Sequence, residues 1–162
     1  MESLENNKVV VRFFAAAVAF LGWGVIQGAL QAQKPIHDFL TRPPADIIVG
    51  AHAHINLLGW VSLSLVGLLY YLVPKLTGKP IAAPKLINPV FWVWVVALAL
   101  MGALMIAAGI AGGIAWGANN NVDLNPVLAP YMIPIGILSI ILALAIVTFI
   151  GQILTTICRR TK

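Results

Sequence analysis

Charged residues are scarce in this sequence: Asp, Glu, Lys and Arg make up 9% of its 162 residues, whereas hydrophobic residues make up 60%. Because soluble domains carry roughly 25% charged residues, this composition excludes an ordinary soluble enzyme and indicates a protein whose solvent is lipid. Cysteine is scarcer still. The one copy, Cys158, has no second thiol with which to form an internal disulfide, and we interpret it as a packing residue.

Four apolar stretches make up most of the chain, over about residues 9–31, 47–73, 90–116 and 130–158. Each reaches the roughly 20 residues that a helix needs to cross a bilayer. Segments rich in Pro, Gly or Asn separate them, and Pro74 and Pro126 are assigned to these loops. The predicted fold is therefore all-α: an integral membrane four-helix protein, with residues 1–162 forming a single domain of four spans.

The ten basic residues are distributed unevenly between the two ends of these spans. Lys34 and Arg42 lie in the first loop, and the other eight lie around the start of the first span, in the second loop or at the C-terminus. Because Lys and Arg accumulate on the cytoplasmic side of a bilayer, this asymmetry predicts cytoplasmic N- and C-termini and a multi-pass protein of the inner (cytoplasmic) membrane. The net charge of +5 thus reflects helix ends rather than a nucleic-acid surface.

Small and aromatic residues in the spans carry packing signals. Glycines are spaced Gly-x-x-x-Gly in the first span, at Gly24 and Gly28, and in the third, at Gly109 and Gly113. This spacing predicts that neighbouring helices approach closely there. Three tryptophans at the two ends of the third span, Trp92, Trp94 and Trp116, are interpreted as part of the aromatic belts at the membrane interfaces.

The second span carries the pair His52-Ala53-His54, and the one other histidine of the chain, His37, lies in the first loop. A polar group in lipid is costly unless something pairs with it, so a histidine inside a span indicates a functional site. Helix positions i and i+2 point about 200° apart, so the two rings cannot grip one ion from the same side. This argues against a simple zinc or copper chelate and suits a helix that gives one axial ligand to each of two haem sites.

The same span resembles a known family. Gly50-Ala-His-Ala-His-Ile-Asn-Leu-Leu-Gly-Trp-Val, followed by Gly67-Leu-Leu-Tyr-Tyr-Leu-Val-Pro-Lys-Leu, is similar to the tenth helix of subunit I, the catalytic subunit of haem–copper oxidases. The similarity is closest to the cbb-type cytochrome c oxidases, and the second helix of nitric oxide reductases is a weaker match. The resemblance implies that His52 ligates a high-spin haem iron and that His54 ligates a low-spin one.

The chain also departs from that family. The histidines that bind the active-site copper lie on helices with no counterpart here, so the resemblance implies no copper and no oxidase turnover. Subunit I is a ring of three four-helix arcs, and this chain resembles one arc. A homotrimer, or another homo-oligomer, follows as a hypothesis, in which His54 of one chain and His52 of the next hold a haem between them.

Four other residues are candidates for cofactor contacts. Arg42 and Lys34 lie on the side predicted to be outer, where they could pair with haem propionates or serve as interfacial anchors. Trp60 could pack on a haem face or in the protein core. Asn56 could orient an imidazole as a neighbouring donor or join two helices by a hydrogen bond.

The sequence thus predicts a membrane protein with non-covalent b-type haem, because it contains no Cys-x-x-Cys-His motif. Two imidazoles on one iron give a low-spin, saturated site, which favours electron transfer from a quinol or an outer-side cytochrome, and no catalytic residue is assigned. Two alternatives remain open. The chain could be an accessory or assembly subunit of a respiratory oxidase complex with unmetallated histidines, or a haem protein that binds NO, O2 or CO. Histidines that serve only as interhelical hydrogen-bond groups, bare metal ligands or proton relays are a further interpretation.

Overall fold

The computed structural model describes residues 2–159, and for residues 2–7 the backbone alone. Within that part of the chain all regular structure is helical. The helices are α1 (Glu2–Gln31), α2 (Lys34–Leu40), α3 (Ile47–His54), α4 (Leu63–Thr77), α5 (Ile87–Ala118) and α6 (Asn125–Cys158). A π-helical segment, Ile55–Ser62, joins α3 to α4 without a break, and short 3-10 turns at Pro43–Asp46 and Pro84–Leu86 lead into α3 and α5.

Four segments are long and apolar enough to cross a membrane: Lys8–Gln31, Pro43–Thr77, Pro84–Ala118 and Asn125–Cys158. The all-α, four-span prediction is therefore confirmed. The assignment of two prolines to loops was wrong. Pro126 lies in the first turn of α6, where a helix has no hydrogen bond for proline to remove. Pro74 lies inside α4, which continues to a left-handed cap at Gly78 (φ 67°).

Helix α2 and the turn after it lie in a segment that was predicted to be a loop. Seven residues are too few to stand out in hydropathy, although Pro35 near its start is typical of a helix N-terminus. Ile36, Phe39 and Leu40 follow the spacing of one helix face and pack into a small cluster with Ala45. That spacing is the signal from which α2 could have been found.

The larger core lies where α1, α4, α5 and α6 meet. Phe13 is fully buried, and its ring meets Phe91 edge-on at 5.0 Å and Tyr70 at 5.6 Å between centroids. Tyr70 in turn meets the ring of Phe149 at 5.3 Å. These rings bury large apolar areas in favourable tilted and edge-to-face geometry, so they hold the four helices in register at this end of the bundle.

Glycines allow the helices at the other end to cross closely. Gly109 of α5 lies directly against Ile48 at the start of α3, and Gly113 faces Phe39 of α2 and Ala45. The close approach predicted from their Gly-x-x-x-Gly spacing is confirmed. Because α3 carries the histidine pair, these glycines determine how closely the helix that bears the pair packs against α5.

A buried polar cluster fastens the loop after α4. Gln152 of α6 accepts a hydrogen bond from the Tyr70 hydroxyl at 2.7 Å, and its Nε2 donates to the carbonyls of Ala82 and Ala83 at 3.2 and 3.0 Å. Thr156 accepts from the Ala82 amide at 2.9 Å. Gln152 is only 5% exposed, so these bonds are made away from solvent.

Replacing Gln152 with Leu is expected to lower the free energy of unfolding by about 3 kcal/mol, because the Tyr70 hydroxyl and two loop carbonyls would stay buried without a partner. Unfolding in detergent, followed by circular dichroism, measures the change. Gln33→Leu is the matched control, since the Gln33 side chain is exposed and its one hydrogen bond runs to the nearby Ala29 carbonyl in α1. Equal stabilities for the two variants would contradict a structural role for the cluster.

Candidate functional site

His54 is the last residue of α3 and its side chain is exposed on the surface of the bundle. Its Nδ1 lies 2.8 Å from the Gly50 carbonyl oxygen, one helical turn earlier. A carbonyl accepts hydrogen bonds only, so Nδ1 carries the proton and donates it there, and Nε2 keeps a free lone pair. This is the arrangement in which an imidazole ligates a metal: one nitrogen fixed by a carbonyl, the other presented outward.

His52 is half-buried and packs against α1. A Cβ added at Gly28 would lie 3.0 Å from its Cε1, so the ring fills the space that this glycine leaves open. The Nδ2 of Asn56 is 3.3 and 3.4 Å from the two ring nitrogens and donates at 2.8 Å to the His52 carbonyl. Asn56 itself fills the space beside Gly24. The predicted close approach at Gly24 and Gly28 is confirmed. The side chains of Asn56 and His52 occupy the space that these two glycines leave.

The two imidazoles therefore have different surroundings. His52 faces α1 inside the bundle, whereas His54 is exposed on the outside. This agrees with the 200° separation expected for positions i and i+2. One copy of this chain does not bring both rings to one site, and only His54 presents a nitrogen outward. Among residues 8–159, moreover, no three His, Cys, Asp or Glu side chains cluster as a metal site.

Several exposed side chains that follow His54 along the helix are apolar. Leu57 is 60% exposed, Trp60 42% and Val61 39%. Of the two interpretations of Trp60, core packing is wrong for this chain, because the indole lies on the surface. An imidazole within such a surface would face hydrocarbon in a bilayer unless a cofactor or a protein covered it.

The π-helical segment after His54 was not predicted. Two of its backbone carbonyls accept side-chain hydrogen bonds: the Leu57 carbonyl accepts from the Ser62 hydroxyl at 2.8 Å, and the Leu58 carbonyl accepts from Trp94 Nε1 at 3.1 Å. Trp94 is only 2% exposed, so its assignment to an interfacial belt was wrong. Its indole bonds to the π-helical segment inside the bundle, and π segments are common beside functional sites.

Arg42 and Lys34 make contacts of their own. Arg42 Nη1 donates to the Gly113 carbonyl at 3.1 Å, and its guanidinium lies 5.0 Å from the centre of the Phe39 ring. It thereby ties the turn before α3 to α5. Lys34 forms an exposed ion pair with Asp38 at 2.7 Å. Among the described residues neither side chain is hydrogen-bonded to His52 or His54, whereas Asn56 does contact His52 as expected.

The chain is similar to known proteins in sequence and in fold. The sequence model of the family described as cytochrome c and quinol oxidase polypeptide I matches residues 1–145. The chain belongs to this family. The resemblance to subunit I of the haem–copper oxidases is confirmed, and membership in this family implies a haem cofactor.

Individual oxidase subunits are similar over a little more than half of the chain. The Cbb3-type cytochrome c oxidase subunit CcoN1 of Stutzerimonas stutzeri is 34% identical over 92 residues, which cover 56% of this chain and 19% of the relative. A cytochrome c oxidase subunit 1 homolog of Agrobacterium tumefaciens is 32% identical over 96 residues, covering 59% of this chain and 17% of the relative. The matched region is thus less than a fifth of the length of these oxidase subunits.

The fold also matches a solved oxidase. A chain of a heme-copper terminal oxidase dimer, determined by cryo-electron microscopy, superposes with a TM-score of 0.77 at 20% sequence identity. The match covers 96% of this chain and 28% of the oxidase chain. All four spans of this chain therefore adopt the arrangement of one part of a larger oxidase subunit.

Proposed function

We propose that this chain is a membrane b-type haem protein that transfers electrons, with His54 Nε2 as an axial ligand of the iron. The observation that carries the proposal is the pairing of His54 Nδ1 with the Gly50 carbonyl at 2.8 Å on an exposed, apolar surface. It fixes the tautomer, orients the ring and directs the free nitrogen away from the bundle. These are the requirements of a haem-ligating histidine.

His52 of a neighbouring copy is proposed as the opposite ligand. Because the two rings of one chain face different sides, a shared iron needs ligands from two chains, and a closed ring of identical subunits repeats the same interface. A homotrimer would rebuild the three arcs of a complete subunit I. The His52 ring would have to leave its place beside Gly28 to present a nitrogen to the neighbour, and Asn56 would remain bonded to the His52 carbonyl.

Held by His54 of one chain and His52 of the next, a haem iron would supply one-electron chemistry between the ferric and ferrous states. The residues of this chain position the ligand and exclude water. The Gly50 carbonyl holds the His54 ring in one orientation, and the exposed side chains that follow it along the helix, Leu57, Trp60 and Val61, are apolar. The donor is proposed to be a quinol or an outer-side cytochrome, in an inner-membrane protein with cytoplasmic termini. Copper is not part of the proposal.

Gas binding is the second candidate function. The observation that favours it is the enclosure of the His52 ring between Gly28 and Asn56, because a ring that stays there leaves His54 as the one ligand to a five-coordinate haem. Carbon monoxide would then shift the spectrum of the reduced protein, whereas a bis-histidine haem would respond little.

An accessory subunit of a larger oxidase is the third candidate, and it is favoured by the small share of its relatives that this chain covers.

Mixing two variants tests whether a haem is shared between chains. His52→Ala and His54→Ala are each expected to lose haem when expressed alone. When they are co-expressed in equal amounts, random assembly gives about one interface in four that has both ligands, so about a quarter of the wild-type haem should return. The haem content of the purified mixture, by pyridine haemochrome, is the measurement. No recovery in a mixture shown to co-purify would contradict a shared site.

A further inference from the structure

A groove lies on the outside of the bundle between α1 and α4. The two helices cross closely at Gly67 of α4, where an added Cβ would lie 2.9 Å from the Cβ of Phe13. Beside this crossing they leave a space of about 330 Å³, which is lined by Val10, Val11, Phe14, Leu68 and Tyr71. Val11 is 62% exposed and Tyr71 is 39% exposed, so the groove opens away from the bundle, on a side that faces lipid in a bilayer.

An exposed lysine is held at one end of this groove. Lys75 follows Tyr71 by one helical turn, and its Nζ donates a hydrogen bond to the Tyr71 hydroxyl oxygen and lies 3.9 Å from the centre of the ring. Both contacts keep the ammonium above a wall of the groove. Because the hydroxyl oxygen accepts from Lys75, the hydroxyl hydrogen is left to donate elsewhere, and the ammonium has further N–H groups. The pair therefore presents several donors and a positive charge to any molecule that lies in the groove.

The charges around this end of the bundle are mostly basic. Because α1 and α4 are antiparallel, Lys8, which lies one turn before Val11 in α1, is at the same end as Lys75. The acids whose side chains the structure describes all belong to the loops and short helix at the opposite end: they are Asp38, Asp46 and Asp123. Among residues 8–159, no carboxylate therefore balances the charge of Lys75.

We propose that the groove binds an anionic phospholipid, whose phosphate accepts hydrogen bonds from Lys75 and Tyr71 and whose acyl chain lies along the apolar walls. Hydrogen bonds from an ammonium to a phosphate are charge-assisted and stronger than neutral ones. A phospholipid without net charge brings its own cation and would leave Lys75 uncompensated, so the site distinguishes lipids by headgroup charge. The inference is independent of haem binding, since neither His52 nor His54 lines the groove.

Lys75 could also act without a specific lipid. It lies in the last turn of α4, where a positive charge stabilises the helix end, and any lysine near a membrane surface attracts anionic lipids in general. Neither of these roles involves the apolar walls between α1 and α4. A specific lipid site is therefore distinguished by its dependence on both the charge of Lys75 and the space in the groove.

The test compares phosphatidylglycerol with phosphatidylcholine of the same acyl chains. Native mass spectrometry of the full-length protein, as purified in detergent, gives the dissociation constant of the first bound lipid. The wild type is expected to prefer phosphatidylglycerol, and Lys75→Gln to lower this preference by about fivefold, the value of one basic residue beside an anionic headgroup. Val11→Trp fills the groove without changing the charge, so it should weaken phosphatidylglycerol binding by about tenfold or more.

Lys85→Gln is the matched control. Lys85 is exposed at the same end of the bundle, in the turn before α5, and it does not line this groove, so its replacement should keep the wild-type preference. Equal losses in Lys75→Gln and Lys85→Gln would show a general attraction by net charge and would overturn the proposal. It is also overturned if the wild type binds the two lipids equally, or if Val11→Trp binds phosphatidylglycerol as tightly as the wild type does.

Discussion

His54→Ala is expected to lower the haem content of the purified protein by more than about tenfold, because the variant removes the imidazole that presents Nε2 to the iron. His37→Ala is the matched control: this histidine is also exposed, but it lies on α2, and its replacement should leave the haem content unchanged. Haem per chain is measured by pyridine haemochrome after purification in the same detergent.

Two more substitutions separate ligation from packing. His54→Met keeps an axial ligand of a different type, so it should retain some haem with a higher reduction potential, which a merely structural role would not predict. His52→Ala should also lose haem if the site is shared between chains, but should retain it if His54 alone holds a five-coordinate haem. Retention of full haem by His54→Ala would contradict the assignment of the ligand.

Gly109→Leu is expected to destabilise the fold by about 3 kcal/mol or more and to release α3 from α5. A Cβ at this position would overlap the Ile48 side chain and would lie 3.2 Å from the Ile48 backbone nitrogen. The clash therefore involves main-chain atoms, which a change of rotamer cannot move. The start of α3 would have to move, and with it the Gly50 carbonyl that orients His54. The midpoint of thermal unfolding and the haem content should therefore fall together.

Gly136→Leu provides the matched control for that variant. Gly136 is also inside a spanning helix, but a Cβ added there meets nothing within 4 Å. Leucine has a higher helix propensity than glycine, so this substitution should be neutral or slightly stabilising. If the two glycine variants unfold at the same temperature, the close crossing of α3 and α5 does not contribute to stability as described.

Features that repeat over many residues could be predicted from the sequence. The four spans follow from long apolar runs, and the histidine pair stands out because ionisable groups are rare in such runs. The spacing of Gly24 and Gly28 indicated a close contact, although not that His52 and Asn56 would fill it. That pairing depends on how the second span is rotated against α1, which helix periodicity alone does not determine.

Features set by single tertiary contacts could not be predicted. The π segment has no compositional signature, and the donor that bonds to its Leu58 carbonyl is Trp94, 36 residues away in sequence. Arg42 is joined to a carbonyl 71 residues away, whereas its sequence neighbourhood suggested an interfacial anchor or a partner for a haem propionate. In each case the deciding partner comes from a distant part of the chain.

The absorption spectrum of the purified wild-type protein, oxidised and then reduced with dithionite, tests the central claim most directly. The protein should show the sharp reduced bands of a low-spin haem, a b-type pyridine haemochrome and about one haem per chain, as a ring of identical interfaces requires. A colourless protein, purified after expression with ample haem, would contradict the proposed haem site and would leave the accessory-subunit function in its place.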